Sequence, residues 1–199
     1  VVGEGMPGIK QPFINDNGES IMMAEQTFKM LAPLIKSQEY IEDFREWDGT
    51  EVDFNLDALR EQPVTTPYGS INRWMFLVWP DTAADLSKPW LEVPDTEKDL
   101  AKGKVIITRT ERYTNPHIDY SFLKPYEDEL VFSGTMREYN VFCMTYDLNI
   151  RKLTITNFLE LAQAIKQSRF HITNQTMANQ ISQGIFHPSI LEVCGFAPN

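Results

Sequence analysis

Apolar positions are distributed unevenly along this chain, and their spacing changes near its middle. In the second half, short apolar runs alternate with stretches whose apolar residues recur every three or four positions. Val105-Ile-Ile-Thr108 and Leu130-Val-Phe-Ser133 are two such runs, the second closed by Gly134. Phe170 to Thr173 and Ser189 to Val193 are two more. Short runs bounded by turn residues predict buried strands. Tyr139, Phe142, Cys143 and Tyr146 fall at i, i+3, i+4 and i+7, and Phe158, Leu161, Ala162 and Ile165 repeat that spacing. Each set makes one stripe on a helix, so Phe158, Leu161, Ala162 and Ile165 are expected inside and Glu160, Gln163 and Lys166 outside. Asn157 stands where the second helix needs an N-cap, with Glu160 three residues on. A third helix is expected over residues 176–183, with Gly184 near its C-terminal end. Strands alternating with helices predict an α/β layer around a parallel sheet.

The first half lacks that rhythm. Residues 1–20 are rich in Gly, Pro and Asn and read as a loop. Ser20 is placed to cap a helix running to about Ser37, with Ala24, Phe28, Leu31 and Ile35 on one face and Pro33 kinking its last turn. Phe44 to Trp47 is a strand candidate, stopped by Asp48-Gly49. Pro63, Pro67, Pro80, Pro89 and Pro94 are expected to break regular structure over residues 62–94, while Tyr68, Trp74, Phe76, Trp79 and Trp90 point to a folded connection. The charged stretch 95–104 is the expected domain boundary, dividing 1–100 from 101–199.

Composition narrows the function. With 42% hydrophobic residues in 199, the chain can bury a core. A formal net charge of -10 argues against duplex nucleic acid as a partner. No run of about 18 apolar residues exists and residues 1–12 show no signal-peptide pattern, so no membrane span and a cytoplasmic location are expected. Cys143 and Cys194 stand without metal spacing, and His117, His171 and His187 form no ligand pattern, so no metal or cofactor is expected. The Asn174-Gln-Thr176 sequon reads as coincidence, and the Asp53 and Asp57 carboxylates as a solvated turn.

An open parallel sheet holds ligands outside the carboxyl ends of its strands. The residues there are Arg109-Thr-Glu-Arg-Tyr113, Gly134-Thr-Met-Arg-Glu138, Asn174-Gln-Thr176 and Glu192-Val-Cys-Gly195. Arg109, Arg112 and Arg137 thus share one rim, and arginine forks suit phosphate or carboxylate. The helix starting near Thr176 adds free N–H groups and a positive dipole end. Together these describe an anion site. Competing readings remain open: the arginines pair with Glu111 and Glu138, Asn174 and Thr176 only cap a helix, and Glu192 either meets ribose hydroxyls or ends a strand.

The same segments resemble a family. Ile107-Thr-Arg-Thr-Glu-Arg-Tyr113 with Asn115-Pro116, Val131-Phe-Ser-Gly134 with Glu138-Tyr139, and Phe170-His-Ile-Thr-Asn-Gln-Thr176 continuing to Pro188-Ser-Ile-Leu-Glu-Val193 and Pro198-Asn199 are similar to the C-terminal half of ADP-heptose:lipopolysaccharide heptosyltransferases. Upstream, Leu34-Ile-Lys-Ser-Gln-Glu-Tyr-Ile41, Trp47-Asp-Gly49, Val52-Asp53 and Leu86-Ser-Lys-Pro-Trp90 fit the same relatives. The resemblance implies a GT-B architecture, in which a Rossmann-like parallel sheet with helices on both faces follows a smaller, irregular α/β part. Residues 1–100 would be a partial N-terminal lobe and 101–199 the lobe that binds a nucleoside-diphosphate sugar, without a metal. Arg109, Thr110, Arg112, Asn174, Gln175 and Thr176 would face the diphosphate, and Gly134, Glu138 and Glu192 the nucleoside. The family's Asp-(Ser/Thr)-Gly segment followed by His is replaced here by Asn174-Gln-Thr-Met-Ala178, and no catalytic residue is assigned. The implied activity is sugar transfer to an acceptor hydroxyl. A non-catalytic nucleotide- or sugar-binding module and a structural protein reusing the fold are the alternatives.

Overall fold

The computed structural model describes residues 13–14, 20–21, 25–56, 58, 71–82 and 84–195. Two short strands open it, β1 (Phe13–Ile14) and β2 (Ser20–Ile21), paired antiparallel. Ser20 therefore lies in a ladder and not at a helix cap. The helix α1 (Glu25–Lys36) starts at an acidic residue that suits its positive end, and it contains Pro33. Of its residues only Leu34 is fully buried, while Phe28, Leu31 and Ile35 are half-buried; Ala24 lies outside the described residues.

Phe44 to Trp47 is not a strand. Among the described residues no strand pairs with it, and the Phe44 ring stacks on Phe28 at 4.8 Å between centroids. Within the proline-rich stretch a helix does form, α2 (Ile71–Val78), followed by a 3-10 turn over Pro80–Thr82. No proline falls between Pro67 and Pro80, so nothing interrupts the helical ladder there.

From residue 105 the alternation is regular. The elements are β3 (Val105–Thr108), β4 (Leu130–Ser133), α3 (Met136–Tyr146), β5 (Arg151–Leu153), α4 (Phe158–Gln167), β6 (Phe170–Asn174), α5 (Met177–Gly184) and β7 (Ser189–Glu192). The strands form one five-stranded sheet in the order β5-β4-β3-β6-β7, every pair parallel. Val105 pairs with Phe170 and Thr108 with Thr173, in parallel register as the alternation predicts. Strand β5 has no apolar run, because an edge strand buries only Leu153. A ten-residue 3-10 segment, Tyr120–Glu129, links β3 to β4 and buries Tyr120 and Leu123.

Side chains alternate across the sheet, so the central strands β3 and β4 feed two cores. Ile106, Val131 and Leu153 pack with Leu34 of α1 and with Leu161, Ala162, Ile165 and Ile181 of α4 and α5. Val105, Ile107, Phe132 and Ile172 pack on the other face with Phe142 of α3 and with Tyr120 and Leu123. Helix α4 is buried more broadly than one stripe. Leu161, Ala162 and Ile165 are buried and Lys166 is exposed, as expected, but Phe158 and Gln163 are half-buried and Ala164 is buried. The Glu160 side chain is only 13% exposed. The reason is a second neighbour. Residues 93–101 run along the outer side of α4, where Val93, Leu100 and Ala101 join the core. Gln167 Nε2 donates to the Lys98 carbonyl at 2.8 Å, and its Oε1 accepts from the Leu100 N–H at 3.1 Å. The charged stretch 95–104 is thus stitched onto the sheet layer.

Candidate functional site

The strand order sets the site. Counted along the chain, the five parallel strands lie 3-2-1-4-5, so the order reverses between β3 and β6. The loops that follow β3 and β6 leave that reversal in opposite directions, and open α/β sheets bind ligands in the crevice at such a point, outside the carboxyl ends of their strands. Thr108 and Asn174 end these strands, and the loops that follow them carry the residues of interest.

Asn174 is fully buried and acts as a clamp between the two loops. Its Nδ2 donates to the carbonyls of Thr110 (2.9 Å) and Tyr113 (3.2 Å), and its Oδ1 accepts from the Thr110 N–H (3.3 Å). Residues 110–113 are thereby fixed over the end of β6. Gln175 ties in the next strand, its Oε1 accepting from the Cys194 N–H at 2.6 Å. Thr176 is the N-cap residue of α5, but its side chain makes no capping hydrogen bond. Its hydroxyl points back to the Asn174 carbonyl at 3.4 Å. The positive end of α5 is therefore not closed by Thr176.

The arginines divide into two kinds. Arg109 forks onto Glu192, Nε to Oε2 at 2.6 Å and Nη2 to Oε1 at 3.0 Å, with side chains 14% and 0% exposed. Glu192 also accepts from the Asn115 N–H at 2.5 Å and from the Tyr120 hydroxyl at 2.8 Å. Burial, together with donation to Glu192, holds the Tyr120 hydroxyl well above the usual tyrosine range, so it stays a donor. Arg109 and Glu192 thus saturate one another beneath the rim. Arg112 is different. It is exposed, lies 4.6 Å from the Tyr113 ring centroid and donates to the Tyr113 hydroxyl, with no carboxylate partner among the described residues. Arg137 pairs with Glu111 at 3.1 Å on the surface.

Beyond β4, Glu138 sits at the third position of α3 and completes a capping box with Thr135. Its Oε2 accepts from both the Thr135 N–H and hydroxyl at 2.8 Å. Gly134 leads into that cap, where a Cβ would lie 2.8 Å from the Phe132 ring. Of the nine residues expected at the site, Arg109, Thr110, Arg112, Asn174, Gln175, Thr176 and Glu192 are linked across the β3, β6 and β7 ends. Gly134 and Glu138 stand beyond β4.

A buried polar chain, not anticipated from spacing, runs into this site. Thr173 donates to the Asn174 carbonyl (3.0 Å) and Thr108 donates to Thr173 (2.9 Å). With its only proton so committed, Thr108 must accept from His171 Nε2 at 2.7 Å. His171 Nδ1 then accepts from the Ser182 hydroxyl at 2.6 Å. All the protons point one way only if the imidazole is neutral. Burial, with a smaller contribution from His187, pushes the His171 pKa down to about 3. The signal for this chain was His171 and Thr173 alternating with apolar neighbours in a central strand, a polar stripe where a buried sheet should be apolar. No cluster of His, Cys, Asp or Glu among the described residues could hold a metal ion. No helix among them is long and apolar enough to cross a membrane.

No family model, no curated protein and no solved structure matches this chain.

Proposed function

We propose that the crevice at the carboxyl ends of β3 and β6 binds the diphosphate of a nucleoside-diphosphate sugar, and that this lobe is the donor side of a glycosyltransferase-like protein of GT-B type. One observation carries the reading. At the reversal of strand order, a helix start that Thr176 does not cap meets a loop bearing Arg112, and Asn174 clamps that loop in place. Backbone N–H groups and a guanidinium with no carboxylate partner among the described residues are the donors that phosphate oxygens take. Thr110, Gln175 and Thr176 border the same crevice, while Gly134 and Glu138 extend it toward the nucleoside. In this reading Arg109 and Glu192 work from beneath, holding Asn115 and Tyr120. If sugar is transferred, Arg112 and the α5 end stabilise the departing diphosphate, and a base on another segment takes the acceptor proton.

A specific observation favours the second reading, a non-catalytic nucleotide-binding module. Three carboxylates of the rim are already engaged: Glu192 by Arg109, Glu111 by Arg137 and Glu138 by its own cap. None of the three is free to act as that base.

The test is calorimetric titration with ADP, UDP and GDP and their hexose derivatives, on the wild type and on Arg112→Ala. A charge-assisted contact to phosphate contributes roughly 1.5–3 kcal/mol, so the variant should bind about tenfold to a hundredfold more weakly. Its melting temperature should hold, because an exposed arginine changes stability by only about 0.5 kcal/mol. Equal affinity in the two proteins removes Arg112 from the site. No binding of any diphosphate removes the reading itself.

A further inference from the structure

The opposite end of the sheet carries a second depression. A cavity of about 400 Å³ opens beside the C-terminus of α5, where the chain turns into β7. Trp90 and Phe186 line it, with Leu86, Gln183, His187 and Ser189. Ser189 is the first residue of β7, so the cavity lies at the amino end of that strand, away from the crevice.

Both aromatic residues are held firmly. The N–H groups of Trp90 and Leu91 both donate to the Gly184 carbonyl at 2.9 Å, and Tyr40 donates its hydroxyl to the Trp90 carbonyl at 2.5 Å. A Cβ on Gly184 would lie 2.6 Å from the Leu91 side chain, so glycine admits this close approach. Phe186 ends α5 in a left-handed conformation, with φ 54°. The Phe186 N–H donates to the Gln183 carbonyl (3.2 Å) and the His187 N–H to the Ser182 carbonyl (2.9 Å), which is the hydrogen-bond pattern of a Schellman motif. Glycine is the usual residue at that position, because a side chain there strains the backbone. Phe186 recovers little by packing, being 49% exposed. A strained, half-exposed aromatic residue on the wall of a cavity is the combination that a binding role explains.

The polar groups of the wall agree. Ser168 donates to the Ile165 carbonyl at 2.7 Å, so it accepts from His187 Nε2 at 2.9 Å. That assigns the proton to Nε2 and leaves His187 Nδ1 as an acceptor. Burial lowers the His187 pKa, which keeps the ring neutral at neutral pH. Ser182 and Pro188 also line it, and among the described residues no carboxylate, lysine or arginine does. A phosphate or carboxylate ligand would find no counter-charge among these described residues.

We propose that this depression binds a neutral pyranose, its C–H face against Trp90 and Phe186 and its hydroxyls bonded to His187 Nδ1, Gln183 and Ser189. Vicinal hydroxyls both donate and accept, as the Gln183 amide and the Ser189 hydroxyl do. Aromatic side chains present broad apolar faces to such a ring. A cavity of this size falls in the range of small-molecule sites, roughly 300–1,000 Å³. The site is independent of the proposed diphosphate crevice, and its test contains no phosphate.

Saturation-transfer NMR with methyl glycosides of glucose, galactose and mannose, and with adenosine and uridine as neutral non-sugar rings, decides the matter. At least one glycoside should receive saturation from the protein, and the signal should vanish in Phe186→Gly, Phe186→Ala and Trp90→Ala. Both Phe186 variants lose the ring, but only glycine relaxes the backbone, so Phe186→Gly should melt about 2–4 °C above Phe186→Ala. Absence of transfer to every glycoside overturns the proposal, as does transfer to the nucleosides alone. Full transfer in the Phe186 variants also overturns it. A Phe186→Ala variant melting at or above Phe186→Gly removes the strain argument on which it stands. Should Trp90→Ala fail to fold, the two Phe186 variants decide.

Discussion

Acidification should destabilise this protein through one buried histidine, and the size of the effect follows from the polar chain in the sheet. His171 is 0% exposed and serves as donor to Thr108 and acceptor from Ser182, a state open only to neutral imidazole. In the unfolded chain it titrates near 6.5, and in the folded protein near 3. Below about pH 6.5 the unfolded state therefore binds a proton that the folded state refuses. The contribution is complete above pH 6.5, is lost progressively as pH falls, and levels off near pH 3. The slope approaches about 1.4 kcal/mol per pH unit, so roughly 2 kcal/mol is gone at pH 5. Carboxylates and His187, whose pKa is also lowered by burial, add slopes of their own. His171→Gln isolates the term, since glutamine offers a donor and an acceptor but does not titrate. Urea unfolding at pH 7.5, 6 and 5 should show the wild type losing ground to His171→Gln by about 1 kcal/mol or more per unit below pH 6. Parallel stability curves for the two proteins would refute the reasoning.

Three further substitutions probe the packing around the sites. Glu192→Ala leaves the Arg109 guanidinium and the Tyr120 hydroxyl without their acceptor, and should cost about 3–5 kcal/mol in urea unfolding; a loss under 1 kcal/mol would show that the pair is dispensable. Asn174→Ala should cost about 1–3 kcal/mol and speed hydrogen exchange at the Thr110 amide, because the clamp between the two loops is gone; unchanged exchange would contradict that role. Gly184→Ala drives a methyl group into Leu91 and should lower stability by about 1–3 kcal/mol, read as a drop in melting temperature, whereas an unchanged melting temperature would mean that residues 90–91 yield freely.

Much of the sheet was legible in the sequence. The runs at Val105–Thr108 and Leu130–Ser133 are strands at the expected boundaries, and Asn157 caps α4 through the Glu160 N–H at 2.9 Å. Those features depend on local spacing alone: a strand buried on both faces must be apolar throughout, and a helix start must satisfy its own N–H groups. Parallel pairing also followed, because alternating strands and helices leave room for little else. Strand β5 escaped, since an edge strand has no need of an apolar run, and Ser20 misled, since a serine that can cap a helix can equally enter a ladder with Ile14. At the site, the sequence placed Arg109, Arg112 and Glu192 near strand ends but left their partners open. Only the tertiary structure decided that Arg109 forks onto Glu192, 83 residues away, while Arg112 has no carboxylate partner among the described residues. It likewise set His171 against Thr108 and Ser182, and Trp90 beside Phe186. Spacing along a chain reports which face a side chain takes and how a helix begins. Which charges meet depends on strand order and register, and those are settled when distant segments pack.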